Sequence, residues 1–290
     1  MDKHAPPSGN DRASRQREWD RRDRERPKGP TAPTPEPPGG VKPARGAISG
    51  PLVDPDATLE QLDWSVQKEL SSLPASLLEK VASHLVMAGR LMDEDSDLAM
   101  QHARQAHDLS PRIPAVREAL AIAAYGAGDY KTALREARTV RRMSGDDSWL
   151  PMIADCERGL GRSDRALDLL LEANIGSMPI EIRAECLIVM AGARRDLGQD
   201  EAALALLDTD LLRSRKKSEW VARMRVTYAD TLAALGRDGE ADRWLRLAAA
   251  SDPSGASGAA NRLVDADQLE FVDTAEDFLE EMPSPGSPNG

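Results

Sequence analysis

Few residues in this chain have both the type and the spacing for chemistry. His84, His102 and His107 fall in one region, but His102 and His107 are five apart. They do not share a helix face as metal ligands at i and i+4 would, so no metal site is expected. Cys156 and Cys186 both lie in apolar helical pattern with no histidine close in sequence, which reads as buried free thiols rather than as nucleophiles. The chain carries no Gly–Lys phosphate loop, no dinucleotide fingerprint, no HExxH and no paired CxxC. Carboxylates are plentiful but fall on faces that read as solvated, so nothing marks an acid–base pair. The expectation is a non-enzymatic protein with no cofactor.

Charge says more about partners. The 290 residues carry a net charge of −11, unevenly spread. Residues 1–46 hold 11 Lys and Arg against 7 Asp and Glu, whereas residues 251–290 hold 1 against 9. An acidic protein is a poor general ligand for nucleic acid, because phosphate contacts need clustered cations. A nucleic-acid role would therefore have to reside in the Arg-rich head, RQREWDRRDRERP at 15–27, and an RNA- or ribosome-associated factor is the alternative reading of function. No stretch approaches the roughly 18 apolar residues of a membrane helix, and the start of the chain has no apolar core of a signal peptide. A cytoplasmic setting with no membrane contact is the expectation.

The elements that would position these residues follow a repeat. Four segments place Ala five positions after Gly: GDYKTAL at 128–134, GRSDRAL at 161–167, GQDEAAL at 198–204 and GRDGEAD at 236–242. An earlier copy, DSDLAM at 95–100, keeps the Ala without the Gly. The marked residues Ala99, Ala133, Ala166, Ala203 and Ala241 are spaced 34, 33, 37 and 38 apart. A period near about 34 is the mark of stacked helical hairpins. Ala121, Ala154, Ala191 and Ala229 sit where the family this pattern resembles, the tetratricopeptide repeat, puts a small residue in the first helix of its hairpin. There, only small side chains let two helices cross closely. Gly128, Gly161, Gly198 and Gly236 close those first helices, where a left-handed residue is inexpensive only for Gly.

This pattern resembles the tetratricopeptide repeat over about 75–253, and the whole chain resembles an actinobacterial family of tetratricopeptide proteins with no assigned activity. The resemblance implies an all-α, right-handed superhelical solenoid of about five helical hairpins. An extra helix at 57–72 precedes it, carrying Leu59, Leu62, Val66, Leu70 and Leu73, and an acidic amphipathic helix follows it. The long spacings imply extra turns or longer helices in repeats four and five. Asp210 stands where the family has a small residue, so the second helix of repeat four is expected to end early or to splay.

Domain organisation follows from composition. Residues 1–55, rich in Pro, Gly and Arg, read as a disordered tail, and 56–253 as the repeat domain. Residues 254–262 read as a flexible linker, 263–282 as the acidic helix with Phe271, Phe278 and Met282 on one stripe, and 283–290 as a tail.

The resemblance also implies a concave, protein-binding face built from the first helices. Aligned on the repeat, its residues are Glu118, Ile122, Tyr125, Asp155, Arg158, Ile188, Arg195, Arg223 and Asp230. The chain lacks the Lys–Asn pairing by which one subgroup of the family binds chaperone tails, so that activity does not carry over. Arg158, Arg194, Arg195, Arg223 and Arg225 suggest a basic strip there, against the alternative of separate arginines paired with nearby acids. A basic strip calls for an acidic amphipathic helix or peptide as partner; the chain's own 268–282 fits that description, against the alternative that this helix caps the apolar edge of the last hairpin. The function expected is a protein-binding adaptor or scaffold.

Overall fold

The computed structural model describes residues 50–263. These form twelve α-helices and three short 3-10 turns, with no strand among the described residues. The core is five antiparallel hairpins: α2 (Ala75–Leu91) with α3 (Ser96–Leu109), α4 (Pro114–Gly126) with α5 (Tyr130–Ser144), α6 (Leu150–Gly159) with α7 (Ser163–Glu172), α8 (Ile180–Asp196) with α9 (Asp200–Leu207), and α10 (Glu219–Ala234) with α11 (Asp238–Ala250). Helix α1 (Trp64–Leu70) precedes them and α12 (Ala259–Leu263) follows. Within each hairpin the helices pack on each other, and each second helix packs on the first helix of the next hairpin. The all-helical solenoid read from the repeat is therefore the fold.

The small residues explain the closeness of the crossings. Ala99, Ala133, Ala166 and Ala203 are fully buried, and Ala241 nearly so; their partners Ala121, Ala154, Ala191 and Ala229 are likewise inside. Five second helices start just after a turn, and four of those turns carry a glycine at φ between +70° and +74°: Gly128, Gly161, Gly198 and Gly236. That region costs an L-residue roughly 1–2 kcal/mol. Asp95 and Asp129 then cap α3 and α5, accepting from the backbone N–H of Leu98 at 2.9 Å and of Thr132 at 3.1 Å. Gly159 serves a different need. A Cβ there would lie 2.6 Å from the Tyr130 ring, so glycine lets that ring rest on the end of α6.

Three departures from the sequence reading are informative. The helix expected over 57–72 is broken: a 3-10 turn at Leu59–Gln61, then extended backbone at Leu62, then α1. The Gln67 side chain donates to the Leu62 carbonyl at 2.7 Å and closes the gap. The guanidinium of Arg90 holds this segment on α2, donating to both carboxylate oxygens of Asp56 at 3.1 Å and to Gln61 at 2.8 Å. Residues 50–55, read as part of the tail, therefore include Val53, which packs with Ala57, Val86 and Met87.

Repeat four does end early. Helix α9 stops at Leu207, and residues 208–218 form a connection whose Leu211 and Leu212 are buried. The extra spacing is taken up by this connection and by the long helices α8 and α10, of 17 and 16 residues.

The segment read as a flexible linker is corrected in part. Its last residues form α12, which packs on α11 with Ala259 and Leu263 buried. Leu263 joins Tyr228, Trp244 and Leu247 in the C-terminal core cluster. Two buried small or aliphatic side chains and the ion pair of Arg262 with Asp230 outweigh the flexibility that Gly255 and Gly258 give the preceding turn. The acidic stripe Phe271, Phe278 and Met282 lies outside the described residues, as does the Arg-rich head.

Candidate functional site

The expected binding residues belong to successive first helices, α4, α6, α8 and α10, and hydrogen bonds link Tyr125, Asp155 and Arg158 across two of them. On α4, Glu118, Ile122 and Tyr125 follow one helical stripe at i, i+4 and i+7. Ile122 is 43% exposed, unusual for an isoleucine in a helical core, and Glu118 and Tyr125 are half-buried. The Tyr125 hydroxyl donates to Asp155 on α6. Burial, reinforced by that hydrogen bond, pushes the phenol well above its usual range, so the tyrosine remains a neutral donor.

Asp155 also accepts from Arg158 Nε at 2.8 Å, one turn on in the same helix. Arg158 reaches on to Asp196 of α8 at 3.4 Å, and Asp196 accepts from the Ser163 hydroxyl at 2.9 Å. Gly192 leaves room for this crossing: a Cβ there would meet the Arg158 guanidinium at 3.3 Å, a tight contact. Further along, Arg223 of α10 donates to Glu185 of α8 and lies 3.1 Å from Glu219. Burial holds the Glu185 carboxyl above its usual range; Arg223 opposes that shift, while Glu219 and Asp155 add to it. At the C-terminal end, Arg262 of α12 donates to Asp230 of α10 at 2.5 Å. Ile188 is half-buried on α8 against the C-terminal cluster.

Arg195 lies 3.7 Å from Asp200 at the start of α9, across its own hairpin turn. Arg194 donates to Gln199 at 3.0 Å. One expectation needs correction: the basic strip does not form. Arg225 is buried and donates to the carbonyls of Leu212, Ser214 and Leu247 at 3.2, 2.7 and 3.0 Å. Arg158 and Arg223 each lie between two carboxylates. Desolvation drives this outcome: an arginine beside a half-buried carboxylate is more stable paired than exposed.

Sequence reasoning missed Glu185, Asp196, Glu219 and Arg262. The i, i+4 spacing of Glu219 and Arg223 and the i, i+3 spacing of Asp155 and Arg158 were the available signals. Nothing in the sequence pointed to Arg262, because its role depends on how α12 docks.

His84 and His102 are buried together, Nδ1 to Nδ1 at 3.0 Å. Both cysteines are buried and free, and burial pushes their thiols up to about 12 for Cys156 and about 11 for Cys186. Among the described residues no three His, Cys, Asp or Glu side chains are grouped to hold a metal ion. No described helix is long and apolar enough to cross a membrane.

No protein-family model matches the sequence, and no curated protein resembles it closely enough to match. Among solved structures, the chain is similar to the crystal structure of a thermophilic tetratricopeptide-repeat (TPR) protein from Thermus thermophilus. The identity is 19% and the TM-score 0.50, over 64% of this chain and 98% of that one. At this identity the likeness lies in the fold, a TPR-like hairpin solenoid.

Proposed function

We propose that the protein is a non-enzymatic adaptor that binds another protein through the face formed by its first helices. The observation that supports this most is the placing of apolar and polar side chains on that face. Ile122 stands exposed beside Tyr125, Asp155 and Arg158, whose hydrogen bonds run from helix to helix and fix the surface before any ligand arrives. Preorganisation of this kind lowers the entropic cost of binding. The fold of the Thermus protein supports the same reading at the level of architecture, since a hairpin solenoid presents an extended surface and no built-in catalytic centre.

The alternative, an RNA- or ribosome-associated factor, rests on residues 1–46, which lie outside the described residues. On the described first-helix face, Arg158 and Arg223 are each already paired with carboxylates.

The test is a pair of first-helix variants in the full chain, compared at unchanged circular dichroism because Ile188 packs on the C-terminal cluster. Ile122→Asp and Ile188→Asp should each lower recovery of a discrete protein partner from native lysate, while Leu171→Asp, at a leucine 60% exposed on the second helix α7, should not. Equal recovery by all three variants would remove the first-helix face from the account.

A further inference from the structure

The charges on the first-helix face define the chemistry of its partner. Each arginine there is already matched: Arg158 by Asp155 and Asp196, Arg223 by Glu185 and Glu219, Arg262 by Asp230. Carboxylates therefore outnumber cations among these groups, and the surplus is not uniform. Among the described residues, no cation lies against Glu118. The charges that bear on it are the carboxylates of Glu69 and Asp146, and burial with those neighbours holds its carboxyl above the usual range. A half-buried carboxylate with acidic neighbours and no cation beside it is where an incoming cation gains most. One turn along the same stripe, Ile122 offers exposed apolar surface.

We propose that this face takes a basic amphipathic segment of another protein, with an Arg or Lys of the partner on Glu118 and an apolar side chain, one helical turn from it, on Ile122. The proposal rests on the reading of the first-helix face as the binding surface. A guanidinium would supply the donors Glu118 lacks and would relieve its repulsion with Glu69 and Asp146. An acidic ligand meets the opposite situation at Arg158, Arg223 and Arg262, each already paired with a carboxylate. The same argument works against the chain's own 268–282 as occupant, and against a phosphate backbone or an anionic lipid surface.

The experiment titrates the full chain with two fluorescein-labelled helical peptides of one length: Arg and Leu at i, i+4 spacing, and the same peptide with Glu for each Arg. The Arg peptide should bind at least about tenfold more tightly, as expected for one or two charge-assisted hydrogen bonds. Glu118→Gln should weaken it by about tenfold, with unchanged circular dichroism. Ile122→Asp tests the surface itself. Equal binding of the two peptides, both lost with Ile122→Asp, would overturn the charge assignment and leave the binding face standing. Binding of the Arg peptide unaffected by either Glu118→Gln or Ile122→Asp would overturn both.

Discussion

His84 and His102 meet Nδ1 to Nδ1 at 3.0 Å between α2 and α3, buried in the first hairpin. That contact is a hydrogen bond only while one ring donates and the other accepts, so at most one Nδ1 carries a proton. The His102 Nε2 is buried with no partner among the described residues, which leaves no outlet for a second charge.

This pair should make the N-terminal end of the solenoid acid-sensitive. Burial depresses His84, and the neighbouring His102 adds to the shift. Burial also depresses His102, against an opposing pull from Asp54. Both folded values therefore lie below the ordinary 6.5 of the unfolded chain. The unfolded state takes up protons first as pH falls. The stability in question is complete above about 6.5 and is lost as pH drops from there through the folded values. The melting temperature should fall between about pH 7 and about pH 5.5, with hydrogen exchange in α2 and α3 rising first. The His84→Leu, His102→Leu double variant should flatten that dependence, and an unchanged slope in the double variant would assign it to other groups.

A second buried charge joins α4 and α5. Glu136 is almost wholly buried, and it accepts from Arg117 and from Arg135 Nε at 2.7 Å. Burial alone would raise its pKa, yet those guanidiniums hold it below the usual range. Glu136→Leu should destabilise by about 2 kcal/mol, below the usual cost of breaking a buried pair because both arginines still reach water. Adding Arg117→Met should recover much of the loss. Urea unfolding of the single and double variants measures the coupling; simple additivity would show that Arg117 and Glu136 act independently.

Arg225 holds the irregular connection after α9. It binds three carbonyls from two segments, and burial lowers its pKa to about 10. Arg225→Met would leave buried carbonyls without donors, so a loss of about 3 kcal/mol is expected, read as faster hydrogen exchange in α10 and α11. Arg225→Lys should recover less than half, since an ammonium cannot span three acceptors as a planar fork does. Full recovery by lysine would mean that charge alone matters at this position.

The contrast between Ala203 and Arg225 shows where sequence is a sufficient guide. Ala203 repeats at a fixed spacing, and its burial follows from the geometry of a helix crossing that every hairpin shares. The turn glycines are also local, set by φ, and α9 ends before Asp210, the residue at which the repeat pattern fails. Arg225 has the same type and spacing as a surface arginine, and its burial depends on a connection that belongs to no repeat. The candidate face divides in the same way. The alignment placed Ile122, Tyr125, Asp155 and Arg223 on successive first helices. It gave no indication that Arg158 would bridge to Asp196 over Gly192, or that Arg262 would return from the end of the chain to Asp230. Those pairings depend on the rotation of one hairpin against the next, which a linear period does not encode.

The central claim is that the first-helix face is where this protein binds. Photo-crosslinking in native cells tests it most directly, with a crosslinking residue at Ile122 or Ile188 on that face, or at Leu171 on the second-helix side. The account predicts one shared protein adduct from Ile122 and Ile188, and none from Leu171. The same adduct from Leu171 alone, with none from the other two, would contradict it.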